Sequence, residues 1–249
     1  MANLHSFLFI VHIVFGGAAL VLFWIPVMTK KGQLNHVQFG RYYRTAMYTV
    51  AGSGALMAIM VLLWPMTVKA QFFTSDRDPQ AVIERIQVLW GFLLYLSLLS
   101  FASTRHGMQT LNAKADRSVL RKRHYLAPLV VLMLGGILLA VLGYVHNRTL
   151  HLVFGILGTV ISISTLRYCF KPTIKPGEWV IEHLGAMIGS GIGAYTAFLA
   201  FGGRVIFADL GAYQMVFWIA PGVVGGIAAN IIAQKYARQM GLAQRPSIK

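Results

Sequence analysis

The side chains in this sequence that could do chemistry are its eight histidines. Neutral imidazole is the commonest side-chain metal ligand, and histidine also serves as an axial ligand of haem iron. His12 and His151 each begin a similar segment, HIVFGGAAL and HLVFGILGT, and His36 and His183 each precede a second pair of similar segments. This repetition predicts two cofactor-binding pairs, His12 with His151 and His36 with His183. Haem b or a divalent metal would suit such ligands, and Glu182 would add an oxygen ligand beside His183.

The histidines also have a purely structural interpretation, because imidazoles at the ends of membrane spans commonly hydrogen-bond lipid headgroups, loops or helix termini. We expect that role for the other four, which are His5, His106, His124 and His146. His36 is predicted to lie in a loop. No H-x-x-x-H or C-x-x-C spacing places two ligands on one helix, so a metal site would have to combine residues from different helices. No catalytic residue is indicated.

The elements that must position these histidines are membrane-spanning helices. Of the 249 residues, 57% are hydrophobic and 12% are charged, whereas an ordinary soluble domain is about 25% charged. A bilayer core about 30 Å thick needs about 20 mostly apolar residues per helix. Seven such stretches predict an all-α bundle of seven transmembrane helices, forming one domain over 1–249. The predicted spans are about 7–28, 46–68, 86–104, 125–146, 149–170, 180–201 and 211–234.

Local signals agree with these spans. Asp78-Pro79 predicts a helix N-terminus ahead of the third span. The first apolar run has no Lys or Arg before it, so we expect a retained span and not a cleaved signal peptide. Small residues recur every four positions in the sixth span, a pattern that predicts close helix packing at Gly185, Gly189 and Gly193.

The distribution of charge predicts the orientation of the spans. A formal net charge of +15 is typical of nucleic-acid-binding proteins, but a chain this apolar is not one, and we expect no nucleic-acid partner. Seventeen of the 22 basic residues and three of the seven acidic residues lie on one side of the predicted spans, so that side has a net charge of +14. The loops on that side are 30–44, 105–123, 167–182 and 235–249. The positive-inside rule then places the N-terminus outside and the C-terminus in the cytoplasm. We expect the basic loops, including Arg117 and Arg121–Arg123, to contact anionic lipid headgroups.

A 3+1+3 plan would explain the repeated segments. Spans 1–3 and 5–7 would then be parallel repeats joined by the fourth span. Parallel repeats about an axis along the membrane normal are a known transporter design. A carrier of small solutes is therefore an alternative to a cofactor-binding protein.

Two motifs resemble those of a family of bacterial multi-pass membrane proteins of unknown function. The segment that begins at His36, HVQFGRYY, resembles the family's H-x-x-x-G-R-x-Y signature. The segment that begins at Trp179, WVIEHLGAM, resembles its W-x-x-E-H-x-x-x-M motif. The resemblance covers most of the chain. It implies a helical bundle in the bacterial inner membrane, and it implies no particular activity.

Three functional hypotheses follow. The first is an intramembrane redox, haem-binding or metal-binding protein that uses His12, His151, His36 and His183. The second is the small-solute transporter. The third is an accessory subunit whose glycine-rich faces pack against partner membrane subunits.

Overall fold

The computed structural model describes residues 1–202 and 215–242, most of which belong to seven long helices. They are α1 (Ala2–Met28), α2 (Leu34–Leu63), α3 (Pro79–Ala113), α4 (Arg123–Val145), α5 (Thr149–Phe170), α6 (Glu178–Ala197, extended by a π-helical turn over Phe198–Gly202) and α7 (Met215–Gln239). Each is long and apolar enough to cross a membrane, and the described residues contain no strand. The predicted all-α bundle of seven membrane-spanning helices is confirmed.

The start of α3 follows the predicted signal. The helix begins at Pro79, and the carboxylate of Asp78 accepts hydrogen bonds from the amides of Gln80 (3.0 Å) and Ala81 (3.3 Å). These bonds satisfy two of the four amides that the start of a helix leaves without a partner. The helix therefore begins well before the apolar stretch that predicted the span.

The second span differs from its predicted bounds, 46–68, at the C-terminal end. α2 ends at Leu63, and Trp64 has non-helical dihedrals of φ −132° and ψ 60°. The cause is Pro65, because a proline ring disfavours helical geometry in the residue before it. A separate one-turn helix over Pro65–Val68 follows.

The same span also differs at its N-terminal end. α2 begins at Leu34, so His36 lies in the first helical turn, and its prediction as a loop residue is wrong. A stretch of apolar residues in the sequence locates the part of a helix that hydrocarbon can cover. It does not locate the end of the helix, which here continues through polar residues.

Apolar side chains on the outer surface of the helices are extensively exposed. The large exposed side chains of α1 include Phe7, Ile10, Val14 and Val21, and α7 has no buried residue. Such a surface is stable only against hydrocarbon or another apolar surface. The exposure agrees with helices that lipid covers.

The chain divides into two compact units that cut across the helices. Unit 1 comprises Met1–Phe101 and Leu132–Thr159, and unit 2 comprises Ala102–Val131 and Val160–Lys249. α3, α4 and α5 each contribute to both units, so the division does not follow the 3+1+3 repeats. That plan and the single transmembrane domain stay predictions. In unit 1, one core cluster consists of Met60, Val61, Val68, Val82 and Ile86, with Leu8, Phe73 and Trp90 packed against it.

Glycine allows α4 and α5 to approach closely within unit 1. A Cβ atom on Gly155 would lie 2.5 Å from the backbone nitrogen of Ala140 and 2.7 Å from the carbonyl oxygen of Gly136. The glycine face predicted in the sixth span, on α6, makes no such close approach within the described residues. Within the described part of the chain, no neighbouring atom comes within 4 Å of a Cβ built on Gly185, Gly189 or Gly193. The prediction of close packing there is wrong, because a four-residue spacing defines a helix face but not a partner for it.

We predict that Gly155→Ala lowers the free energy of unfolding by about 1–3 kcal/mol, because the added methyl group meets backbone atoms of α4. Gly185→Ala is the matched control, and open space at that position should let helix propensity raise stability by up to about 1 kcal/mol. Thermal unfolding of the detergent-solubilised protein, followed by tryptophan fluorescence, measures both changes. Equal stability of the two variants would contradict the close approach.

Candidate functional site

The imidazole of His12, on α1, is hydrogen-bonded to α2. Its Nδ1 lies 3.1 Å from the hydroxyl oxygen of Ser53, which itself donates a hydrogen bond to the carbonyl oxygen of Thr49 at 2.6 Å. A hydroxyl has one proton, so Ser53 accepts in its contact with His12. The neutral ring of His12 therefore carries its proton on Nδ1 and its lone pair on Nε2.

His36 has the same arrangement at the start of α2. Its Nδ1 donates to the carbonyl oxygen of Pro26 at 3.0 Å, so its lone pair is also on Nε2. That carbonyl lies in the last turn of α1, where a helix leaves its final carbonyls without amide partners. The amino group of Lys31 donates to the same oxygen at 2.6 Å, and its burial lowers the pKa of Lys31.

In unit 2, His183 of α6 forms the corresponding bond with α3. Its Nδ1 donates to the carbonyl oxygen of Gly107 at 2.7 Å. Glycine at position 107 permits the approach of α6, because a Cβ there would lie 2.6 Å from the sulfur of Met187. The tautomer of His183 is therefore the same as that of His12 and His36.

His151 of α5 also has a hydrogen-bonding neighbour on the backbone, at Val88 of α3, and it differs from the other three histidines in its ring contact. In unit 1 its ring stacks on Phe92 of α3, with 4.9 Å between the ring centroids and 22° between the planes. The described contacts do not join it to its predicted partner, His12. Of the second predicted pair, His36 belongs to unit 1 and His183 to unit 2.

Three of the four predicted ligand histidines thus share one feature. A metal-ligating histidine almost always donates its other ring N–H to a protein or water acceptor, which fixes the tautomer and orients the ring. His12, His36 and His183 all make this donation through Nδ1. Fourteen residues of α1 separate His12 from Pro26, about 21 Å at about 1.5 Å per residue. His12, in the first half of α1, and His36, whose partner carbonyl lies in the last turn of α1, are therefore too far apart to share one ligand.

Glu182, the predicted oxygen ligand beside His183, is hydrogen-bonded to another residue. Its Oε1 lies 2.7 Å from Nε2 of His106. Within 1–202 and 215–242, no group of three or more His, Cys, Asp or Glu side chains is placed to hold a metal ion. A metal-binding role for Glu182 stays a prediction.

His106 is a functional candidate that the sequence interpretation missed. We expected an interfacial side chain, but His106 is buried in unit 2 with 3% of its surface exposed, so that expectation is wrong. Its Nδ1 lies 2.5 Å from the hydroxyl oxygen of Tyr125 on α4, and its Nε2 contacts Glu182 on α6. These partners are 19 and 76 residues away in the chain, so no local motif could have identified the cluster.

Two arginines between α3 and α4 are bound to the C-terminal end of α5. Arg117, at the start of a 3₁₀ helix over Arg117–Arg121, is buried and donates to three carbonyl oxygens, those of Tyr168 (3.1 Å), Lys171 (2.5 Å) and Pro172 (3.2 Å). The Nε of Arg121 donates to the carbonyl oxygen of Cys169 at 2.9 Å. The two side chains supply donors to carbonyls at the end of a helix, where amide donors run out.

The segment that carries these arginines is itself capped. The carboxylate of Asp116 accepts from the amide of Ser118 at 2.9 Å, and this hydrogen bond lowers the pKa of Asp116. Lys122 and Arg123 follow and are exposed. The contact of Lys122 and Arg123 with lipid headgroups stays a prediction, and the buried Arg117 is not placed to share it.

Comparisons of the chain with protein-family models, with curated proteins and with solved structures found no match.

We predict that Arg117→Ala lowers the free energy of unfolding by about 3 kcal/mol, because three carbonyls at the end of α5 lose a charged donor. Lys122→Ala is the control, since the side chain is basic, exposed and in the same segment. Lys122→Ala should change the free energy of unfolding by no more than about 0.5 kcal/mol. Thermal unfolding in detergent compares the two, and a stable Arg117→Ala variant would show that α5 does not need this cap.

Proposed function

We propose that this multi-pass membrane protein is a redox protein of the bacterial inner membrane that binds haem through histidine. One observation carries the proposal: Nδ1 of His12, His36 and His183 donates to a protein acceptor, which leaves the lone pair on Nε2. This is the arrangement that a ligating histidine requires. The resemblance of the His36 and Trp179 segments to a family of bacterial multi-pass membrane proteins supports the assignment to that membrane.

Haem suits these histidines better than a divalent ion does. Haem would need only one or two ligand nitrogens from the protein, because the porphyrin supplies the other ligands of the iron. His12, His36 and His183 each lie on a different helix, so each could supply one ligand to a haem. A divalent ion takes three or four protein ligands and would draw on Glu182, whose Oε1 already contacts His106.

The spacing of the histidines suits electron transfer through the membrane. His12 and Pro26, the carbonyl partner of His36, are about 21 Å apart along α1. One haem beside the first half of α1 and one beside its C-terminal end would give electrons two sites at different depths. At the level of His12, we propose His151 as the second ligand, since both belong to unit 1.

The orientation belongs to the same proposal, with the N-terminus outside and the C-terminus in the cytoplasm. Its support is the excess of basic residues in the loops on one side of the spans. Lys122 and Arg123, which are exposed, would then face the anionic headgroups of the cytoplasmic leaflet.

The haem proposal predicts that protein purified from haem-sufficient cells has a reduced-minus-oxidised absorption spectrum of haem. His36→Ala and His183→Ala should each lower the absorbance per mole of protein, because each removes a ligand nitrogen. His124→Ala and His146→Ala are matched controls, since both side chains are exposed, and they should leave the spectrum unchanged. A colourless wild-type protein, or equal spectra in all four variants, would refute the proposal.

Haem binding also tests the hydrogen bond that Nδ1 of His12 donates to Ser53. Ser53→Ala removes the acceptor of His12 Nδ1 and should weaken haem binding about 10–100-fold, as measured by haem titration of the apoprotein. Thr45→Ala removes an exposed hydroxyl of the same helix and is the control. Equal affinities in these two variants would contradict the role of Ser53.

The orientation predicts which loops a membrane-impermeant thiol reagent can reach. In a Cys169→Ala background, Ser118→Cys should react only from the cytoplasmic side and Ser75→Cys only from the outside. Intact cells and inverted membrane vesicles provide the two sides. The opposite labelling pattern would reverse the assigned orientation.

A further inference from the structure

We propose that a crevice between α3 and α4 binds an anionic phospholipid, with Arg105 holding the phosphate group of the lipid. The inference requires only that these two helices cross a membrane. It is independent of the haem proposal and of the assigned orientation, because it uses none of the predicted ligand histidines and applies to either leaflet.

Pro128 creates the polar contact that positions Arg105. In a regular helix the amide of residue 128 would donate to the carbonyl oxygen of His124, but proline has no amide hydrogen. Pro128 lies inside α4, and Nη1 of Arg105, on α3, donates to the carbonyl oxygen of His124 at 3.1 Å. A side chain of α3 therefore replaces the backbone hydrogen bond that α4 lacks.

Tyr125 holds the same guanidinium from a second side. The guanidinium carbon of Arg105 lies 5.0 Å from the centre of the Tyr125 ring. Tyr125 is buried, and its hydroxyl is hydrogen-bonded to the ring of His106, so the aromatic face is itself fixed. An arginine held by a carbonyl and by an aromatic ring loses little further freedom when it binds a ligand.

The guanidinium borders a crevice that is otherwise mainly apolar. The crevice has an empty volume of about 170 Å³ and belongs entirely to unit 2. Its lining comes from α3 and α4 and consists of Ala102, Arg105, Tyr125, Pro128 and Leu129. Apolar side chains beside a single cation match a ligand that is itself apolar with one charged group.

The crevice lies at the depth where phospholipid headgroups meet hydrocarbon. Arg105 directly follows the apolar stretch 86–104, and Tyr125 begins the apolar stretch 125–146. His124 and Ala127, on the same part of α4, are exposed. Since hydrocarbon covers the apolar stretches, the phosphate of a lipid would lie beside Arg105 and an acyl chain would lie along the apolar lining.

The surrounding charge favours an anionic phospholipid over a zwitterionic one. Residues 105–124 contain six basic side chains and one acidic side chain, that of Asp116. Lys122 and Arg123, which directly precede His124, are exposed. A zwitterionic headgroup would bring its own cation beside these side chains, whereas an anionic headgroup brings only the charge that they attract.

The shape of the guanidinium also suits a phosphate. It offers five N–H donors in a planar fork that can bind two phosphate oxygens at once. In this protein the guanidinium of Arg117 alone binds three carbonyl oxygens. The bond from Arg105 to His124 is therefore compatible with phosphate contacts from the same group.

The test measures lipid binding to the full-length protein by native mass spectrometry in detergent. The probes are palmitoyl-oleoyl phosphatidylglycerol, which is anionic, and phosphatidylcholine with the same acyl chains. The first phosphatidylglycerol should bind at least about tenfold more tightly than phosphatidylcholine, as a charged hydrogen-bond donor to phosphate predicts. Arg105→Gln should abolish this preference.

A second variant separates lipid binding from folding, because Arg105→Gln also removes the donor to the carbonyl oxygen of His124. In Arg105→Gln/Pro128→Ala, the restored amide of residue 128 supplies that donor, and thermal unfolding shows whether the variant is folded. It should also lack the preference for phosphatidylglycerol. Arg41→Gln is the matched control, since it removes the same charge from an exposed arginine and should keep the wild-type preference.

Two results would overturn the lipid site. One is equal affinity of the wild-type protein for the two lipids. The other is a folded Arg105→Gln/Pro128→Ala variant that prefers phosphatidylglycerol as strongly as the wild type does.

Discussion

The absence of water from a bilayer core is the constraint on which the rest of this structure depends. Each backbone amide and carbonyl in hydrocarbon needs a partner within the protein, and a helix provides one along its length but not at its ends. Here side chains complete the carbonyl ends, with Lys31 and His36 at α1 and with Arg117 and Arg121 at α5. The cationic donors also match the negative end of each helix dipole.

The need of backbone carbonyls for hydrogen-bond donors also determines which ring nitrogen of the histidines carries the proton. An imidazole that donates Nδ1–H to a carbonyl is both a structural link and a ring with a defined lone pair. His36 and His183 are of this kind, and His12 reaches the same state through the hydroxyl of Ser53. A bond that links two helices therefore also fixes the tautomer of the ring, with the lone pair on Nε2.

Ionisable groups inside a membrane protein are costly unless they are paired, and their partners then constrain the fold. Glu182 lies on an apolar helix, and its pairing with His106 brings α6 and α3 together in unit 2. Tyr125 occupies the second nitrogen of that imidazole, so α4 joins the same network. An acid, a base and a phenol thus meet through hydrogen bonds to the two nitrogens of one imidazole.

Apolar length and a helix cap are properties of neighbouring residues, so the seven spans and the start of α3 could be predicted without the fold. The sequence also separated the basic loops from the others, since charge can be counted along the chain. It could not show that Arg117 caps α5, that His106 is buried, or that Gly185 has no close neighbour among residues 1–202 and 215–242. Each of these depends on residues distant in the chain, as with the 76 positions between His106 and Glu182. Only the packing of the helices decides which side chains meet, because a periodic pattern fixes the face of a helix but not the helix that faces it.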